Sequence, residues 1–343
     1  MNILRKLLLF ITIQSSVQVW YGQDMHFSQA TNFPLLINPA FSGVYNAKSR
    51  AIFSARNQNI QVPNSAFSGV YNTLGASFET KIFEEMTGQN TWSIGVMGLS
   101  DYAGSGTLAT NQFLVSSGYS LSMDRYGQSF LSLAGQIGIT NRRIFSKDLL
   151  FETQISEFNF DPRLPNLEPY IDGNSRSNFM LNIGALYQQQ ISDRAVCQLG
   201  LSLYNVNNPE VLFYSNSSEN IYTRFNANGG VLFQLDDYTK LYPSIIFMKQ
   251  GSFTSTNIGM SYSKDISDEV SISGGVRTRL GDAFILVAGM KYKNFYSTVS
   301  YDVTTSGLSK ANKSMGALEL NLTFLFGEAK EGYHSDKLYC PSF

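Results

Sequence analysis

The stretch "MGALELNLTFLF", Met315 to Phe326, changes character at nearly every residue. Leu318, Leu320, Leu322, Phe324 and Phe326 share one side, and Ala317, Glu319, Asn321 and Thr323 share the other. Successive side chains point to opposite faces only in an extended strand, so a period of two argues against an amphipathic helix. The pattern recurs after residue 46. Phe179, Leu181, Ile183, Ala185 and Tyr187 oppose Asn182 and Gln188, and Val270, Ile272, Val276 and Leu280 oppose Ser271, Ser273, Arg277 and Arg279. Fourteen such segments can be counted, at 47–57, 66–81, 90–101, 107–122, 128–142, 176–190, 195–206, 221–236, 240–250, 253–264, 269–280, 283–293, 295–304 and 315–326. The segment 283–293 is apolar on both faces and fits least well.

The connections carry a second period. After segments four, six, eight, ten and twelve they are short and polar: "DRYG", "SDR", "DDYT", "KDISD" and "KN". After segments five and seven they are long, at 143–175 and 207–220. Short turns at one end and long loops at the other are the mark of an outer-membrane barrel with both termini in the periplasm. An even number of antiparallel strands can close on itself and leave no edge. The expected fold is therefore all-β, a single transmembrane antiparallel barrel of fourteen strands. Its apolar face meets outer-membrane lipid and its alternate face lines the lumen. Leu199, Leu201, Leu203, Leu320, Leu322 and Phe324 are expected to face lipid, and Ser202, Asn321 and Thr323 to face in.

Composition agrees. Charged residues are 15% of the chain, while Tyr numbers 19 and Phe 25. That balance belongs to β-rich extracellular or outer-membrane chains, since a typical globular domain is about 25% charged. Net charge is −1, which offers no electrostatic footprint for nucleic acid. The N-terminus reads as an export signal, with Arg5 and Lys6 before an apolar Leu7–Ile13 core too short to span a bilayer. Cleavage is expected after Gly22, although Trp20 is atypical at its position. The expected organisation is a signal peptide at 1–22, a periplasmic segment at 23–46, the barrel at 47–326 and a periplasmic tail at 327–343. The segment "NFPLLINPAFSG" is apolar without alternation, and either packs in the barrel mouth or acts as a plug or docking element.

Catalytic readings fare poorly. Asp302 and Glu319 lie on the polar faces of neighbouring segments, where a pair of carboxylates could serve glycoside hydrolysis. Barrel parity accounts for them without chemistry, as lumen charges beside Arg277, Arg279 and Lys291, pairing or solvated. In such a wet lumen, arginine at Asn321 is tolerated, whereas at Leu322 it meets hydrocarbon. The two histidines, His26 and His334, both lie outside the strand segments, which argues against the His-dependent barrel enzymes and against a zinc site. No G-x-S-x-G or phosphate-cradling Gly loop occurs, and no cofactor is expected. Cys197 on an apolar strand face and Cys340 in the tail read as separate thiols rather than a disulfide framework.

Several motifs follow one another in a recognisable order: "HFSQATNFPLLINPAFSG" from His26, "GLSDYAG" from Gly98, "FDPRLPN", "GLSLYNVNNPE" from Gly200, "GGVRTRLGDAFILVAGMKYKNFYSTVSYDVTTSGLS" from Gly274, and the terminal "YCPSF". In order and spacing the chain resembles the PorP/SprF family of outer-membrane proteins of the Bacteroidetes type IX secretion system. It departs at Asn59, where the family often has Trp, and at Leu318, where it often has His. The resemblance implies a non-enzymatic barrel that aids secretion or surface attachment of a type IX cargo or gliding adhesin. It also implies contact with periplasmic parts of that machinery. The loop at 143–175 is where cargo contact is expected, through Phe151, Phe158, Phe160 and Tyr170, because loops on a rigid scaffold commonly carry function. A passive loop whose aromatics fold onto the rim is the other reading. A general channel or transport porin is the alternative function.

Overall fold

The computed structural model describes residues 25–58, 71–84, 90–103, 108–145, 151–156, 159–161, 163–165, 175–210 and 220–327. Fourteen antiparallel strands close into one barrel. They are β1 (Ser49–Gln58), β2 (Tyr71–Glu84), β3 (Asn90–Ala103), β4 (Leu108–Ser122), β5 (Ser129–Ile144), β6 (Ser175–Ser192), β7 (Ala195–Tyr204), β8 (Arg224–Gln234), β9 (Thr239–Gln250), β10 (Phe253–Asp265), β11 (Val270–Arg279), β12 (Ala283–Tyr292), β13 (Phe295–Thr304) and β14 (Met315–Phe326). Each strand pairs with its sequence neighbours, and β14 pairs with β1 from Ser49↔Phe326 to Gln58↔Ala317 to close the ring. Closure matters physically, because a sheet in hydrocarbon has no water to satisfy an open edge.

All fourteen expected segments are strands, with ends shifted by a few residues. Parity is also observed. Leu199 and Leu201 are more than half exposed on the outer face, while Ser202 and Tyr204, on the alternate register, are buried inside. Leu320 and Phe324 point out, and Asn321 and Thr323 point in. Cys197 is a free thiol on the same outward register as Leu199. No helix among the described residues is long and apolar enough to cross a membrane, so the strands do the crossing. The described residues of the long loop after β5 include a helical turn, Glu152–Gln154, and a two-residue ladder pairing Ile155–Ser156 with Asn159–Phe160.

The expectation of a water-lined inner face does not hold along these strands. The chain from Met25 to Ala47 lies inside the ring and buries the wall's inner face. Three single turns form this segment: Ala30–Asn32, Pro34–Leu36 and Pro39–Phe41. Pro34 and Pro39 each open a turn, where proline's missing N–H costs nothing. Phe27, Phe33, Leu35 and Leu36 pack against Met97, Leu99, Leu114 and Met180 of β3, β4 and β6. Ile37, Ala40, Phe41 and Val44 pack against Leu186 and Ile246 on β6 and β9. Room for this comes from small inward residues. A methyl group on Gly75 would press the rings of Phe27 and Phe33, and one on Gly184 would strike Asn38. The apolar inner face of β12 has the same explanation: Ala283 and Ile285 are buried in protein rather than wetted.

Candidate functional site

A segment of single turns leaves most of its backbone groups without internal partners, and buried backbone groups need them. The wall supplies them at three levels. Nearest the loop-side ends of the strands stands a charged cluster. Glu319 on β14 accepts the N–H of Ser28 at 2.7 Å and of Gln29 at 3.0 Å, one on each carboxylate oxygen. The Ser28 hydroxyl donates to Asp302 on β13 at 2.5 Å and accepts from Arg56 on β1. Arg56 also pairs with Asp302 at 3.1 Å and Glu319 at 3.4 Å. Arg279, the last residue of β11, pairs with Asp302 at 3.2 Å and with the half-exposed Asp282 at 2.5 Å. Asn321 donates to the Asn32 carbonyl at 3.1 Å and to Ser54 at 2.6 Å. Arg56, Asp302, Glu319 and Ser28 are each almost wholly buried.

At a second level, three consecutive carbonyls are each claimed by a wall side chain. Leu35 accepts from Tyr204 at 2.6 Å, Leu36 from Arg224 at 3.0 Å, and Ile37 from Ser202 at 2.6 Å and Asn226 at 2.8 Å. Asn38 then does two things. Its Oδ1 caps the turn by accepting from Ala40 N, and its Nδ2 donates to the main-chain carbonyls of Ala185 and Leu201. At the turn-side level Arg50 binds Glu79 through two nitrogens, at 3.1 and 2.9 Å, and stacks 4.5 Å from the Tyr45 ring centre. The segment thus threads the ring from its loop end, at Ser28, to its turn end, where Lys48 N donates to Gly327.

Of the lumen residues expected from sequence, Arg279, Asp302 and Glu319 meet in one cluster. Arg277 is buried but bonds the uncharged Asn257 and Ser244, both at 3.1 Å. Lys291 is half-buried, with its ammonium 5.4 Å from the Tyr296 ring, away from the cluster. Rather than standing in solvent, the three clustered charges are paired and covered. In the long loop Phe151 is half-buried and Phe160 sits in the short ladder, while Phe158 and Tyr170 lie outside the described residues. Ser28, Asn38, Arg56 and the Arg50–Glu79 pair are contributors that parity alone does not single out. Ser28 and Asn38 nevertheless belong to the recognised "FSQ" and "NPA" motifs, so the signal was in the motif and not in the period.

The arrangement holds a chain in place. Both carboxylates are buried and taken up by guanidinium groups, a hydroxyl and amide N–H groups. Among the described residues there is no cluster of His, Cys, Asp and Glu fit for a metal ion.

Comparisons with known proteins agree with this architecture. Among the solved structures that share the barrel fold are the following three. The TodX deltaS2S3 mutant monoaromatic hydrocarbon channel is 8% identical with a TM-score of 0.51, over 84% of this chain and 92% of that one. The toluene transporter TbuX of Ralstonia pickettii is 12% identical at 0.50, over 88% and 94%. The CymD monoaromatic hydrocarbon channel is 9% identical at 0.50, over 90% and 96%. At such identities the likeness concerns fold alone. No curated protein sequence matches the chain. The family described as type IX secretion system membrane protein PorP/SprF matches residues 19–324. A closed ring with an apolar outer band places the protein in the outer membrane, and its family and fold are those of membrane barrels rather than enzymes. The chain belongs to the PorP/SprF family of type IX secretion system membrane proteins.

Proposed function

We propose that this barrel aids secretion or cell-surface attachment of a cargo protein or gliding adhesin, and that it does so with its lumen plugged by residues 25–47. The observation that carries the reading is the three-level anchoring of that segment. A barrel working as an open pore has no use for a lumen whose wall side chains are spent on holding its own chain. The long-loop end is the extracellular end in this reading, with the signal peptide at 1–22 removed and the tail at 327–343 in the periplasm, facing other machinery components. Cargo contact falls to the loop after β5, with Phe151, Phe158, Phe160 and Tyr170 as anchors, since aromatic side chains commonly anchor binding.

Two strains test this. A clean deletion of the gene should lower the surface amount of at least one type IX cargo, measured by labelling intact cells and quantifying surface proteins. Deleting residues 152–170 alone should leave the barrel assembled, because shortening a loop changes closure entropy only slightly, and should lower the same cargo. Unchanged cargo in the gene deletion would refute the secretion role. Unchanged cargo with the assembled loop deletion would refute only the loop assignment.

A further inference from the structure

The wall is bare on both faces at one place. Across β4 to β7 the inward positions Gly118, Ala134, Gly184 and Ser202 are small and pair in register. On the inside the hollow is filled. Asn38 and Pro39 occupy the space over Gly184, and Ser42 the space over Gly118. The outward positions beside them, Ser117, Gly135 and Ala185, are small as well, and the space beyond Gly135 is open. Here a groove of about 870 Å³ crosses the outer face, between walls formed by Trp92, Tyr119, Leu133, Ile183, Leu201 and Phe225. Its size falls within the roughly 300–1,000 Å³ of small-molecule sites.

We propose that this groove is a lipid-binding site, holding an acyl chain of a phospholipid from the turn-side leaflet. The groove lies on the apolar outer face of an outer-membrane barrel, so hydrocarbon surrounds it. No charged side chain lines it, and the Trp92 indole N–H is already given to Ser117 at 2.9 Å, so it offers little to a polar occupant. A flexible chain fills an irregular hollow that a flat barrel wall bridges. The leaflet follows from the ends. Trp92 and Tyr119 stand near the turn-side ends of β3 and β4, where interfacial aromatics mark the headgroup level. From there the floor climbs over Gly135 and Ala185 toward Phe225, near the loop-side end of β8. The site depends on the outer-membrane location and not on the secretion role.

The test uses the purified full-length barrel in mild detergent, with native mass spectrometry of retained lipid. Gly135→Leu with Ala185→Leu fills the floor from outside, where nothing in the chain opposes it at Gly135. Gly98→Leu, outward on β3, equally open and away from the groove, is the control. Heat-dependent gel migration reports that each variant is a folded barrel. Phospholipid retained by the wild type and the control should fall roughly tenfold in the double variant, as expected when a few methylene contacts are lost. Equal phospholipid in all three proteins, or none in the wild type, would overturn the site. Lipid A in place of phospholipid would overturn the leaflet assignment.

Discussion

Replacing Arg56 by alanine is expected to destabilise the assembled barrel by about 3–5 kcal/mol, the usual effect of removing one member of a buried ion network. The change leaves Asp302 with Arg279 as its one cation beside the Ser28 hydroxyl, and Glu319 with amide N–H groups but no cation. Urea unfolding of the refolded barrel in liposomes, followed by tryptophan fluorescence, reads the loss. Neutralising the cluster together, with Arg56→Met and Glu319→Gln, should cost clearly less than the sum of the single changes, because contacting residues do not add. Additive losses would mean that the two residues do not work as a unit.

Arginine scanning gives the second large effect. Leu322→Arg near mid-membrane should cost about 2–4 kcal/mol, since the guanidinium enters hydrocarbon. Its neighbour Asn321 is where the plugged and wet lumens part company. In a water-lined barrel Asn321→Arg is mild. Here the Asn321 side chain is buried and bonded to Asn32 and Ser54, so arginine must displace the threaded segment or remain compressed against it. A loss at Asn321 comparable with that at Leu322 is therefore expected, in the same unfolding assay. A negligible loss at Asn321 would show that the segment does not occupy that level of the lumen.

The barrel was legible because alternation is a local consequence of strand geometry, repeated fourteen times and punctuated by turns. Even β12, ambiguous in pattern, takes its place between neighbours of clear parity. The threaded segment was not legible in the same way. It has no period, since residues surrounded by wall on all sides have no solvent face to alternate with. Phe27, Phe33 and Phe41 look like any apolar cluster until Gly75 and Gly184, far away in sequence, are seen to make room. Parity placed Arg277, Arg279, Lys291, Asp302 and Glu319 on the inner side. It could not say what fills that side, because an inward polar residue reads the same whether it meets water, an arginine or a main-chain amide. The family motifs held that information in compressed form: Ser28 and Asn38 are the residues through which the segment grips the wall.

The most direct test of a plugged, secretion-linked barrel is conductance. The purified full-length protein is inserted into planar bilayers and current is followed at steady voltage. Wild type should pass little current, with no long-lived open state, because the wall is engaged from Ser28 to Lys48. A large, steady, unblocked current from the intact protein would contradict the plug and favour a general channel.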